Sequence, residues 1–179
     1  MRLRALEACR MRSIWAAAVG SALFFVVAPM SFAGLVPWWM TRWRMSPPLL
    51  GWTGLRWIGA ALIAAGTVVL VDAFARFVRH GRGTPAPPLP TERLVVTRLY
   101  RYVRNPMYLA VLSAIAGQWL LLGATNLLIY AALVGAAFHL FVIGYEEPTL
   151  RHRYEEEYER YRRNVRRWWP RLSPWSPAS

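Results

Sequence analysis

Four apolar stretches alternate with clusters of arginine, and no other feature constrains the chain as much. They run from about Ser13 to Trp39, from about Leu55 to Val78, from Met107 to Leu122 and from Leu127 to Gly144. A helix needs roughly 20 apolar residues to cross a bilayer, within a range of about 17–25. The first two stretches meet that length. The last two are short, and the uncharged turn Gly123-Ala124-Thr125-Asn126 joins them, so they read as a tight helical hairpin. Hydrophobic residues make up 56% of the 179 and charged residues 17%, against about 25% charged in ordinary soluble domains. A soluble domain of this length has too little interior to hide so much apolar side chain. The pattern predicts an all-α fold, a polytopic helical membrane protein with about four transmembrane helices.

The 22 basic residues are all Arg and stand against 9 acidic ones, a net charge of +13. Their confinement to clusters excludes a simple nucleic-acid-binding domain and a disordered basic tail, so the expected partner is a lipid bilayer and not a nucleic acid. The lone Cys9 excludes an intrachain disulfide framework and a thiolate-rich metal site, and no metal is expected. The clusters also orient the chain. Arg2, Arg4, Arg10 and Arg12 precede the first stretch, and Arg79, Arg82, Arg93, Arg98, Arg101 and Arg104 follow the second. The hairpin turn carries none, and the tail carries eight from Arg151 to Arg171. Positive charge collects on the cytoplasmic side, which places both termini and the second loop there in a multi-pass protein. The first stretch has a competing reading as a signal peptide, with Ser31-Phe32-Ala33 as a small-x-small cleavage site. Its length and the interfacial belt of Trp38, Trp39 and Trp43 favour a retained span, kinked at Pro29.

Residues 1–79 thus form an N-terminal pair of spans, and residues 80–179 carry the chemistry. Pro85, Pro87, Pro88 and Pro90 keep the loop from His80 to Asn105 out of a continuous helix. After Glu146, Leu150, Tyr154, Tyr158, Tyr161, Val165 and Trp168 recur at helical spacing, which predicts an amphipathic cytoplasmic helix. This helix lies on the membrane surface or folds over the ends of the spans. Glu156 with Arg160 and Glu159 with Arg163 are spaced to pair along it, as are Asp72 and Arg76 on the second span.

Two polar clusters flank the hairpin. Tyr100-Arg101-Tyr102-Val103-Arg104-Asn105-Pro106-Met107-Tyr108 precedes it and Glu146-Glu147 follows it. A hairpin returns its ends to one side, so the clusters are expected to meet at the cytoplasmic boundary. Asn105 is a good cap and Pro106 suits a helix's first turn. The N-terminus of that helix suits a carboxylate. The Glu pair is expected at the negative end of the returning helix, where it needs a cationic partner. His139, about two turns earlier, is an ionisable residue within a span and is a functional candidate on that ground. Each element also has a plainer reading. The tyrosines and arginines serve as interfacial anchors, the carboxylates neutralise Arg residues, and the imidazole is packed and neutral. Gly81-Arg82-Gly83 reads as a flexible joint, since no strand precedes it.

Together these strings resemble the isoprenylcysteine carboxyl methyltransferase / phospholipid methyltransferase superfamily of membrane enzymes. The pieces that carry the resemblance are Gly-Arg-Gly-Thr-Pro-Ala-Pro at 81–87, Leu94-Val95, the Tyr100–Tyr108 block, Glu146-Glu147-Pro148, Glu157-Tyr158-x-x-Tyr161 and Val165-Arg166-Arg167-Trp168-Trp169-Pro170-Arg171. They cover about half the chain. The resemblance implies S-adenosyl-L-methionine as cofactor, contacted by Leu94, Val95, Tyr100, Asn105, Pro106, Met107, Tyr108, Glu146 and Glu147. It implies methyl transfer to a lipophilic small molecule or lipid, with His139, Arg104 and Glu147 as candidates for the catalytic roles. The chain departs from the family pattern at Arg98-Leu99, where Gly-Pro is usual. It also departs at Val142 and Ile143, where carboxyl-methylating members carry an Arg, and at Asn105, as in phospholipid-type members. Phospholipid amine methylation is therefore an alternative. A nicotinamide-dependent reductase of the same superfamily is another, and a non-enzymatic module that binds anionic lipid is a third.

Overall fold

The computed structural model describes residues 27–80, 94 and 96–176, without the side chains of 74–80. The N-terminal arginines, Cys9, the first half of the first apolar stretch, the Gly- and Pro-rich loop and Val95 lie outside the described residues. Every regular element among the described residues is helical. A helical start at 27–30 passes through a π-turn, Ser31–Leu35, into α1, Val36–Thr41. Then follow α2, Gly54–His80, α3, Pro106–Leu122, and α4, Thr125–Phe141. A second π-turn, Val142–Glu146, leads into α5, Glu147–Asn164. Among the described residues, two helical stretches are long and apolar enough to cross a membrane, Gly54–Ala73 and one within Thr125–Asn164. α3 is a shorter apolar helix.

The first π-turn has a specific cause. Pro37 has no N–H, so the carbonyl of Ala33 loses its helical partner four residues on. The N–H of Val36 reaches back five residues to Ser31 instead. The departure from α-geometry therefore sits at residues 31–35, beyond the kink expected at Pro29. The freed carbonyls find partners on the hairpin. Gln118 Nε2 donates to Ala33 O at 2.6 Å, and the Tyr130 hydroxyl donates to Phe32 O at 3.0 Å. Trp43 Nε1 donates in turn to Gln118 Oε1 at 3.3 Å. Gln118 is itself buried. Gln118→Leu strands the Ala33 carbonyl and is expected to cost about 1–3 kcal/mol, measured as a lower unfolding midpoint in detergent.

α2 and α3 pack backbone to backbone. A Cβ on Gly59 would stand 2.5 Å from Gly117 O, and one on Gly117 would stand 2.6 Å from Gly59 O. Two turns further along the same seam, a Cβ on Gly66 would meet Ala110 O at 2.6 Å. Small residues let apolar helices approach this closely. α3 then closes on Gly123, which takes the left-handed conformation (φ 72°) and donates its N–H to Trp119 O. A Cβ there would collide with the Pro47 carbonyl oxygen. Only Gly123 and Ala124 separate α3 from α4, because Thr125 and Asn126 belong to α4 and not to the turn. Val111 and Ile115 of α3 pack on Val134 of α4, with Leu70 and Phe138 at the edge.

α4 does not end before the Glu pair. The N–H of Glu147 bonds to Val142 O across the second π-turn, and the helical path continues into α5. Glu146 and Glu147 thus lie inside a helical run, so no helix C-terminus acts on them. α5 bends at Glu155 (φ 40°, ψ −113°). The bend redraws the expected pairs, since Glu159 binds Arg162 at 3.0 Å and Arg151 at 3.2 Å. Tyr158, Tyr161 and Val165 are buried against Leu94, Val96 and Trp175, with Leu150 and Tyr154 beside them. Asp72 accepts from Arg98 at 3.2 Å, while the Arg76 side chain lies outside the described residues.

Candidate functional site

From Val165 the chain leaves α5 and runs back along residues 101–104. Arg104 N–H donates to Arg166 O at 3.0 Å, and Arg171 N–H to Tyr102 O at 2.9 Å. Trp175 N–H donates to Arg101 O at 2.9 Å. Arg101 Nε returns a bond to Trp175 O at 2.7 Å, and Tyr161 donates its hydroxyl proton to Tyr100 O at 2.7 Å. The extended tail is thereby held against the polar block that opens α3. Trp168 belongs to this tail and not to the helical face read from its spacing.

The tail carries Arg167 to Glu147. Arg167 grips both carboxylate oxygens, with Nε to Oε1 at 2.6 Å and Nη2 to Oε2 at 2.8 Å. Arg104 Nη1 donates to Glu147 Oε1 at 2.9 Å and stands 3.3 Å from the Tyr158 hydroxyl. The Glu147 side chain is 6% exposed and that of Arg104 10%, so this pair is withdrawn from water. Paired guanidinium groups in fork geometry are the strongest answer to a buried carboxylate.

Glu146 has different company. The Tyr108 hydroxyl donates to its Oε2 at 3.0 Å. The Tyr108 ring lies tilted against Phe138 at 4.7 Å and against Trp168 at 6.4 Å, measured between ring centres. The two carboxyls lie beyond the apolar part of α4, and their surroundings drive them apart. Burial raises the Glu146 pKa above the usual glutamate value; the Tyr108 bond pulls it down and the Glu147 charge adds to the rise. Burial also opposes ionisation of Glu147, but the Arg167 bonds and the charges of Arg104, Arg167 and Arg151 prevail and hold it below that value. Adjacent carboxyls separated in this way can take different roles.

Asn105 occupies the cap position of α3 without capping it. Its side chain donates instead to Arg167 O at 3.3 Å. Pro106 has no N–H, so the donors of the first turn belong to Met107 and Tyr108, and no side chain caps them. His139 Nδ1 accepts from Trp168 Nε1 at 3.0 Å.

The structure therefore brings together Arg104, Asn105, Tyr108, Glu146 and Glu147, and links His139 to them through Trp168. Tyr100 and Met107 stay close, with the tyrosine hydroxyl 3.5 Å from the sulfur. Leu94 does not join this group and packs under Tyr158 and Tyr161. Pro106 faces the other side of α3, where it lines an apolar cavity of about 170 Å³ with Gly66, Leu99 and Val103. Arg167 is a site residue that periodicity does not single out, and periodicity marks Trp168 and Tyr158 only as members of a helical face. The sequence signal for Arg167 is the string Val165–Arg171.

Residues 55–157 match the family model described as phospholipid methyltransferase, more than half of the chain. The chain belongs to that family. None of the curated proteins or solved structures compared matches it. The phospholipid methyltransferase match takes in α2, α3, α4 and the Glu pair, whereas Arg167 and Trp168 lie beyond its end.

Proposed function

We propose that this phospholipid methyltransferase family member transfers a methyl group from S-adenosyl-L-methionine to a lipophilic or membrane-embedded acceptor. The site lies at the cytoplasmic boundary of a four-span bundle, with both termini and the charged α5 in the cytoplasm. Exposed Trp57, Val68 and Val71 on α2 and Ile129, Leu133 and Leu140 on α4 suit contact with acyl chains.

The observation that carries this reading is the 3.0 Å contact between Tyr108 at the start of α3 and Glu146 past the end of α4. It joins the two halves of a donor-binding surface. The residues present fit the cofactor's charges. The uncapped first turn of α3 offers the Met107 and Tyr108 N–H groups to its carboxylate. Glu146 offers an oxygen to its amine, and the rings of Tyr108, Phe138 and Trp168 offer faces to its sulfonium. Bound, the cofactor supplies an activated methyl group. The chain's contribution is to hold donor and acceptor in line and to keep water away.

Arg104 and Arg167 are positioning residues in this reading. Their charge is committed to Glu147, and together they fix the helical run that carries Glu146. If the acceptor is an amine, Glu146 Oε1 is the better proton acceptor, because burial raises its basicity while the arginines lower that of Glu147. Leu94 and Val96 then support α5 and do not touch the donor.

Full-length protein in nanodiscs with host lipid extract and isotopically labelled methyl donor tests the reading by lipid mass spectrometry. A labelled lipid is expected, together with binding of S-adenosylhomocysteine that weakens about tenfold or more in Tyr108→Phe/Glu146→Gln. Absence of label from every lipid, with NADPH binding in place of S-adenosylhomocysteine, defeats it in favour of the reductase.

A further inference from the structure

His139 is an exposed polar side chain on a helix whose neighbouring outward residues, Ala136, Leu140 and Ile143, are apolar. An ionisable side chain on an apolar span is costly, and it is a candidate for a functional role on that ground. One of its nitrogens is accounted for. Trp168 Nε1 is a donor only, so the 3.0 Å bond requires a lone pair on His139 Nδ1. A neutral imidazole with its lone pair at Nδ1 carries its proton at Nε2. Among the described residues Nε2 has no partner. This ring therefore turns a hydrogen-bond donor outward, and its acceptor nitrogen is occupied. The Trp168 ring that fixes it lies 6.0 Å from His139 and 6.4 Å from Tyr108. An oxygen held at Nε2 sits one indole away from the Tyr108–Glu146 pair.

We infer that His139 is a hydrogen-bond donor to an ester or phosphate oxygen of a glycerophospholipid acceptor, oriented by Trp168, and not a proton acceptor. The inference rests on the methyltransferase reading for what happens to that lipid afterwards, but the binding contact stands by itself. The neighbouring tail explains why the tryptophan is in reach. Arg166 and Arg167 are bonded on either side of the α3 entrance, to the Arg104 N–H, the Asn105 side chain and Glu147.

The test uses full-length protein in detergent with ¹⁵N-labelled histidine. The His139 resonances are identified by their loss in His139→Gln. Wild type is expected to show an unprotonated Nδ1 and a protonated Nε2, and Trp168→Phe is expected to lose that single tautomer. Titration with phosphatidylethanolamine is expected to shift the Nε2–H signal saturably. Diacylglycerol distinguishes an ester contact, which it reproduces, from a phosphate contact, which it does not. No saturable shift, an equal shift with hexadecane, or a proton on Nδ1 overturns the inference. In the methyl-transfer assay, His139→Leu is expected to raise the acceptor KM about tenfold with the donor KM unchanged. His139→Gln, which keeps a donor, recovers most of it, and an unchanged acceptor KM in His139→Leu also overturns the inference. A wild-type chain that methylates no lipid sinks the methyltransferase reading while the spectra still decide the contact.

Discussion

Glu147→Leu is expected to destabilise the protein by about 3–5 kcal/mol. The carboxylate is the shared partner of Arg104 and Arg167, and Arg104 is 10% exposed. Removing it leaves a guanidinium charge withdrawn from water, with the Tyr158 hydroxyl as the side-chain group still within hydrogen-bond distance among the described residues. It also frees Arg167, and with it the tail that closes over α3. The readout is the unfolding midpoint in detergent, alongside S-adenosylhomocysteine binding. Glu159→Leu is the comparison, because Glu159 meets its arginines at the surface and is worth less than about 1 kcal/mol. The two variants behaving alike contradicts the assignment. The same carboxyl gives a pH signature in wild type. Its pKa is held below the ordinary 4.5, so its contribution is complete above that pH and is lost as pH falls through the lowered value.

Much of this arrangement is legible in the residues themselves. Pro106 and the polar block before it mark the start of a helix, and the uncharged turn marks a hairpin, so the meeting of Tyr108 with the Glu pair follows from chain direction alone. Asn105 shows where such reasoning stops. Its residue type favours capping, but the Arg167 carbonyl, 62 residues away in sequence, offers a competing bond. The helical run through Glu146 and Glu147 was illegible for a related reason. Pro148 suggests a helix boundary, whereas a π-turn absorbs its missing N–H and lets the helix pass. Periodicity placed Trp168 on the face of α5 because it assumes the helix lasts. α5 ends at Asn164, and the tail's backbone bonds to residues 101–104 decide where the indole goes. Pairings made by an extended strap leave no period in the sequence.

On the apolar side, Gly117→Leu is expected to separate α2 from α3 and to abolish the folded state or leave it marginal. Oversized side chains in a packed core cost about 1–3 kcal/mol where neighbouring side chains can shift. Here a first carbon meets the Ile63 side chain at 2.8 Å and, beside it, Gly59 O at 2.6 Å and Ile63 N at 3.0 Å, two backbone atoms in a regular helix. Neither can rotate away, so the helices must part along their length and take the Gly66–Ala110 contact with them. That contact lines the wall behind Pro106, and its loss moves the first turn of α3 that carries Tyr108. Gly117→Ala already introduces the offending atom and is expected to fall between the leucine variant and wild type. Gly34→Ala is the control, since nothing lies within 4 Å of its added carbon. Unfolding midpoints in detergent should order as Gly34→Ala, Gly117→Ala, Gly117→Leu from highest to lowest. A Gly117→Leu protein as stable as the Gly34→Ala protein contradicts the backbone contact between α2 and α3 and, with it, the placement of Tyr108 beside Glu146.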